Sequence, residues 1–197
     1  MGNNLYIKAQ APSTGGGWTR PTEWLPLPDF APSDNRIVVL MAIYENDLNY
    51  TVIAGGVGVA TSTAYWGDGT STVTNGGYQV KEYDYVSLSG SVSVDEFGRN
   101  YKQVIIDIII PNVISATVIR LERNGTGIYQ NKPSTYLDLK AQSTTLNGFD
   151  LFYNRYAPLL KKIDLSGLTL PSVYNITGLP KARRLEEIYL NYNITTG

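Results

Sequence analysis

A short apolar frame recurs along the second half of the chain. Leu160-Lys161-Lys162-Ile163-Asp164-Leu165 returns about 25 residues later as Leu185-Glu186-Glu187-Ile188-Tyr189-Leu190, with apolar side chains at the same three places. A third unit, Leu137-Asp138-Leu139, sets Leu139 ahead of Leu165 at nearly the same spacing. Between them lies a second series: Leu146-Asn147-Gly148-Phe149-Asp150-Leu151-Phe152-Tyr153-Asn154 fits the frame, and Tyr174-Asn175-Ile176 follows Phe149 by the same interval. A coil of about 25 residues with strand-like segments on both sides produces two interleaved series of this kind. A few loose β-hairpins are the plainer alternative.

Upstream the period is that of strands. Arg36 to Tyr44 is an unbroken run of strand formers, Asn46-Asp47 marks a turn, and Leu48 to Ala54 follows. Gly55-Gly56 makes another turn before Val57 to Trp66, and Gly55 to Ala60 lacks the Lys-Ser/Thr of a phosphate loop. Tyr78 to Tyr83, Val104 to Ile110 and Ile114 to Glu122 complete the set. Six or so strands with few helix signals predict a β-sandwich. Its corner is Trp66-Gly67-Asp68-Gly69-Thr70, where both glycines can take positive φ and the Asp68 carboxylate can accept from nearby backbone N–H groups. Tyr85 is expected to close a strand beside that corner. Ser87 to Lys102, rich in Ser, Gly and charge, predicts a protruding loop or hairpin.

The first 35 residues read differently. Ala11 to Gly17 is a flexible link, and prolines at 21, 26, 28 and 32 then favour extended or polyproline II backbone. A mere linker would be polar. This one carries Trp18, Arg20, Trp24, Leu25, Leu27 and Phe30. Those side chains must be buried, either across the face of their own domain or in a neighbouring subunit, and arms that dock on partners share this mix of extended backbone and aromatic anchors. The expected parts are an arm over 1–35, a sandwich over 36–123 and a repeat segment over 124–197, incomplete at its C-terminus.

Chemistry has little to draw on. With no Cys and no His, thiolate nucleophiles, disulfides, Cys-based metal sites and the commonest general base are all excluded. Only a carboxylate mechanism, such as a glycosidase pair, survives. Asp95-Glu96 and Glu186-Glu187 are adjacent in sequence, so in extended chain their side chains diverge. Asp107 within its apolar run suggests an outward face or a buried hydrogen bond. No calcium-loop spacing is present, and the expectation is a non-enzyme without cofactor or metal. Sixteen basic against 17 acidic residues give no electrostatic reason to expect nucleic acid. The clusters Lys161-Lys162 and Lys181-Ala182-Arg183-Arg184 suit the solvated edge of a repeat beside Asp164 or Glu186-Glu187. Four Asn-x-Thr sequons, at Asn49, Asn124, Asn175 and Asn193, fit chance in an Asn- and Thr-rich chain. Met1 to Tyr6 has neither a basic nor an apolar leader pattern, and the apolar run from Val104 is too short to span a bilayer; no secretory signal and no membrane insertion are expected.

Two stretches carry resemblances. The Trp66 to Thr70 turn, the downstream Tyr85 and the following apolar strand resemble the immunoglobulin-like domain named for polycystic kidney disease proteins (PKD), in which the Gly-Asp-Gly turn is structural. Leu185 to Asn193 and its counterparts resemble degenerate leucine-rich repeats over 134–197. The order of arm, sandwich and repeats, with Trp18 to Pro28 as a further marker, is similar to structural proteins of tailed bacteriophages. That resemblance implies a non-enzymatic virion component in the tail, baseplate, fibre or head-decoration class. It would be assembled in the bacterial cytoplasm and anchored by its arm to other virion proteins or to copies of itself as a homo-oligomer. A surface adhesin that binds a glycan or receptor through the repeats is the alternative.

Overall fold

The structure, a computed structural model, describes residues 18–46, 49–55, 61–75, 77–110, 118–122, 135–144, 148–151, 157–168 and 184–190. These residues are mainly β, with a single 3-10 turn at Pro32–Asp34. The strands are β1 (Arg36–Tyr44), β2 (Asn49–Gly55), β3 (Ser62–Tyr65), β4 (Ser71–Thr74), β5 (Gly77–Tyr83) and β6 (Ser93–Val94). They continue with β7 (Asn100–Ile109), β8 (Val118–Glu122), β9 (Tyr136–Ser143), β10 (Gly148–Leu151), β11 (Lys162–Leu168) and β12 (Glu187–Leu190). One open, mixed sheet runs β12-β11-β9-β1-β7-β3-β4, with β6 added to β7; a second runs β10-β8-β2-β5.

Strand β1 explains the architecture. Every residue from Ile37 to Tyr44 is buried, which a strand achieves only when both faces of its sheet are covered. Ile37, Val39, Met41 and Ile43 face the main core, where they meet Val104, Ile106 and Ile108 of β7 and Leu139 of β9. Leu40, Ala42 and Tyr44 face the other way and are covered by Trp24, Tyr101 and Leu137. The arm is therefore the second covering layer, and it is the reason that β1 shows no polar alternation.

The second sheet closes the inner face through β5. Tyr83, 2% exposed, lies in the main core, and its hydroxyl donates to the backbone oxygen of Trp66 at 2.7 Å. Gln79 Nε2 donates to Ser62 Oγ at 3.1 Å. Both bonds cross from β5 to the segment around β3, pinning one sheet to the other.

The expected boundary at 123/124 lies outside the described residues, and the first sheet runs across it. β9 pairs antiparallel with β1, while β11 pairs parallel with β9 and β12 parallel with β11. Lys162 faces Asp138 and Ile163 faces Leu139; a bulge between Asp164 and Gly167 then lengthens the offset by one, so that Gly167 faces Gln142. From β11 to β12 the longer offset holds, with Lys162 facing Glu187. The alignment of Leu139 with Leu165 is thus out of step: Leu139 stands beside Ile163. In the second sheet β10 lies parallel to β8, with Gly148 beside Val118; Tyr174 to Ile176 lie outside the described residues.

Two strands depart from expectation. β7 begins at Asn100, inside the stretch expected as a protruding loop or hairpin, because β6 pairs back on it at Ser93↔Tyr101 and Val94↔Asn100. That stretch contains a hairpin. Ser71–Thr74 is mostly polar, with Ser71 to Val73 exposed, and forms the edge strand β4 against β3. There backbone pairing is specified without an apolar face to announce it.

Candidate functional site

Charged and aromatic side chains converge at the joint between the arm and the outer face of the first sheet. Trp24 is 8% exposed and Phe30 9%. Of the two destinations open to the arm's anchors, these side chains occupy their own sheet. Trp18 packs tilted against Trp24 with ring centroids 6.1 Å apart, and Leu27 joins the same cluster. Leu25, at 43%, is the arm's exposed large apolar residue among the described residues. Phe30 lies under two cations, the Arg36 guanidinium at 5.0 Å and the Lys140 ammonium at 4.9 Å from its ring centroid.

Arg20 locks the joint. Its Nε donates to Asp138 Oδ2 at 2.8 Å, Nη1 to the Trp24 carbonyl at 3.0 Å and Nη2 to the Leu25 carbonyl at 2.5 Å. The guanidinium also lies 5.6 Å from the Trp24 ring centroid. Asp138 is available because of a bulge: Leu40 faces Asp138 but Met41 faces Tyr136. Leu137 is the extra residue, and it enters the cluster around Trp24 while Asp138 reaches Arg20. The Asp138 side chain is 4% exposed, and its Oδ1 is buried without a hydrogen-bond partner among the described residues. Burial pushes its carboxyl up, and Arg20 pulls it back only in part, so the net direction is upward. Gln103 adds a further clamp, accepting from the Leu25 N–H at 2.8 Å and donating to the Glu23 carbonyl at 3.0 Å.

The Gly-Asp-Gly corner is a self-contained turn. Gly67 and Gly69 have φ of 76° and 84°. A side chain at Gly67 would place Cβ 2.5 Å from the Ile105 carbonyl oxygen, whereas Gly69 meets nothing within 4 Å. Asp68 Oδ1 accepts from the Thr70 N–H at 3.0 Å and the Thr70 hydroxyl at 2.6 Å, and Oδ2 pairs with Lys81 at 2.5 Å. Burial pushes the Asp68 carboxyl up, but Lys81 and Thr70 outweigh it and hold the group below the ordinary carboxylate range. Trp66, 1% exposed, donates its indole N–H to Thr72 Oγ1 at 2.9 Å. Tyr85 sits past the end of β5, half-buried against the core, with the Lys102 ammonium 4.8 Å from its ring centroid. The tyrosine that reaches the corner is Tyr83, just upstream. Its position at the inward phase of β5 was the signal that could have identified it.

The remaining carboxylates are dispersed. Asp107 pairs with Arg36 across β1 and β7. Asp95 closes the β6–β7 hairpin, accepting from the N–H groups of Phe97 and Arg99 at 2.9 Å each and from the Tyr44 hydroxyl at 3.0 Å. Glu96 turns to Arg184. Lys161 meets Glu186 at 3.4 Å and Lys162 meets Glu187 at 3.8 Å, ion pairs between positions one coil apart. Lys181 to Arg183 and the sequons at Asn124, Asn175 and Asn193 lie outside the described residues. Among those described, no group of three or more acidic side chains is placed to hold a metal ion. No helix among them is long and apolar enough to cross a membrane. The arrangement can hold a segment in place, present alternating charge and offer aromatic surface. Comparison with known proteins finds no matching family model, no matching curated protein and no matching solved structure.

Proposed function

We propose that this chain is a non-enzymatic structural component of a tailed-phage particle, in which a PKD-like sandwich is continued by a short leucine-rich-repeat-like solenoid. The observation that supports this most is the parallel ladder β9-β11-β12 on the antiparallel strand β1, in which Lys162 stands beside Asp138 on one side and Glu187 on the other. A coil of that length adds one strand per turn to an existing sheet, so sandwich and solenoid share a hydrogen-bonded layer and transmit load as one body. Other virion proteins, or further copies of the chain, are its partners, and the particle is built in the bacterial cytoplasm.

The arm's part in docking is narrower than its composition suggests. Trp24 and Phe30 serve the chain's own sheet, whereas Leu25 faces outward. Leu25 is tied through Gln103 to Ser93 of β6, and the hairpin there exposes Val92, Val94 and Phe97 at 52%, 62% and 60%. Several exposed apolar side chains in one neighbourhood suit a contact with another protein. Mass spectrometry of purified particles made from the encoding genome should find the chain in stoichiometric amount. With Leu25→Glu and Phe97→Glu combined, the chain should fold normally and be lost from the particles. Its absence from particles carrying the native sequence would refute the reading.

A further inference from the structure

The outer face of the parallel ladder carries an alternating charge grid. Lys162 stands beside Asp138 and Asp164 beside Lys140, with Glu187 and Tyr189 next in line on β12. The arm passes over one margin of this grid and borders an open cleft of about 340 Å³, lined by Arg20, Pro26, Leu27 and Asp29 of the arm and by the four charged residues of β9 and β11. Three cations and three carboxylates line it, so its net charge is zero. We propose that this cleft binds a neutral saccharide.

Three features of the lining select that ligand. First, the volume falls within the usual range for small-molecule sites, about 300–1,000 Å³. Second, donors and acceptors stand side by side and are only partly used. Among the described residues Lys162 has its nearest carboxylate, Glu187, at 3.8 Å, beyond hydrogen-bond reach. Asp164 uses Oδ1 for the Ser166 N–H and hydroxyl, at 3.0 and 2.6 Å, while its Oδ2 takes no hydrogen bond from those residues. Asp138 keeps a buried Oδ1 without a donor among them. A vicinal diol answers such a row, donating one hydroxyl proton to a carboxylate and accepting from the neighbouring ammonium, at the strength of charge-assisted hydrogen bonds. Third, the equal mix of signs works against the other classes: an anion meets three carboxylates and a cation meets three basic groups.

The site depends on its own lining, whatever particle carries the chain. It is tested with the full chain on an array of neutral and sialylated glycans, followed by calorimetric titration of the best neutral oligosaccharide, with sialyllactose and inorganic phosphate as anionic probes. At least one neutral glycan should bind, and Lys162→Met and Asp164→Asn should each weaken it about tenfold or more, the loss expected for one hydrogen bond to a charged group. Both side chains are half-buried, so thermal melting accompanies each titration and the affinity loss is read on variants that remain folded. Amide shift mapping on the unaltered chain gives an independent readout and should centre on β9 and β11. Binding of no neutral glycan, tighter binding of phosphate or sialyllactose, or shifts centred elsewhere would each overturn the assignment.

Discussion

Arg20→Ala and Asp138→Asn remove the two halves of one ion pair, and their costs should differ sharply. Asp138 is 4% exposed in its side chain against 26% for Arg20, so the carboxylate bears most of the desolvation. Deleting Arg20 strands a buried charge, which costs about 3–5 kcal/mol when no water reaches it. The open side of Arg20 lets some solvent in, so about 3 kcal/mol is expected. Asp138→Asn removes the charge instead. The carboxamide oxygen still accepts from Arg20 Nε, and the penalty that pushes the Asp138 carboxyl up disappears with the charge. A net change within about 1 kcal/mol follows, because a new buried amide donor offsets part of that gain. The double variant should recover the part of the Arg20→Ala loss that comes from the stranded charge, while the bonds to the Trp24 and Leu25 carbonyls stay lost. Urea unfolding followed by tryptophan fluorescence, with Trp18 and Trp24 in the arm, and by circular dichroism of the β body measures all three. The pH sign is fixed as well. A carboxyl whose folded pKa is raised contributes stability at low pH that is lost as pH rises through the folded value. The Arg20→Ala deficit should therefore shrink on acidification. Asp138→Asn costing as much as Arg20→Ala, or the double variant faring no better than Arg20→Ala, would refute this account of the joint.

At the corner, Gly67→Ala should cost about 3 kcal/mol or more, from a left-handed backbone and a collision with the Ile105 carbonyl that has nowhere to go. Gly69→Ala, with the same backbone sign and open space, should cost only about 1 kcal/mol; thermal melts that rank the two equally would contradict the close approach. Asp68 and Asp95 have folded pKa values held below their ordinary ones, so each contributes stability above its unfolded pKa that is lost as pH falls through the lowered value. Acid unfolding of Asp95→Asn should start from a less stable protein and show a shallower pH slope; an unchanged slope would remove Asp95 from the acid response.

How much of this was legible depends on whether neighbours in sequence or neighbours in space decide the outcome. β1 was plain, since an apolar run of that length can only be a strand buried on both sides or a helix segment, and its β-branched residues arbitrate. The corner was plain because two glycines around an Asp encode their own turn. The coil length of the ladder came through in the recurrence of Leu and Ile, but the register did not: the bulge before Gly167 shifts the pairing by one position, and only the fold shows where it falls. β4 and the start of β7 were hidden because Ser71–Thr74 and Asn100–Gln103 pair through backbone, and their side chains carry no alternation. Asp138 read as part of an apolar frame. Its partner lies 118 positions away, and nothing local to either residue records the match. Aromatic content marked the arm as something to be buried but did not choose between its own sheet and a neighbour's.

That separation orders events in time. The surface on which Trp24 rests is assembled from β1, β7 and β9, and the carboxylate that latches Arg20 belongs to the last of these. During synthesis the arm emerges first and has no seat until Asp138 has joined the sheet, and that step must itself close the long loop between β1 and β9. Contacts of such range form slowly, because chain entropy is lost before they reward it. Closure of the arm thus follows the pairing of β9 with β1. Until it occurs, Leu40, Ala42 and Tyr44 have Tyr101 and Leu137 beside them but lack the cover of Trp24, and the outer face is at its most adhesive for that interval.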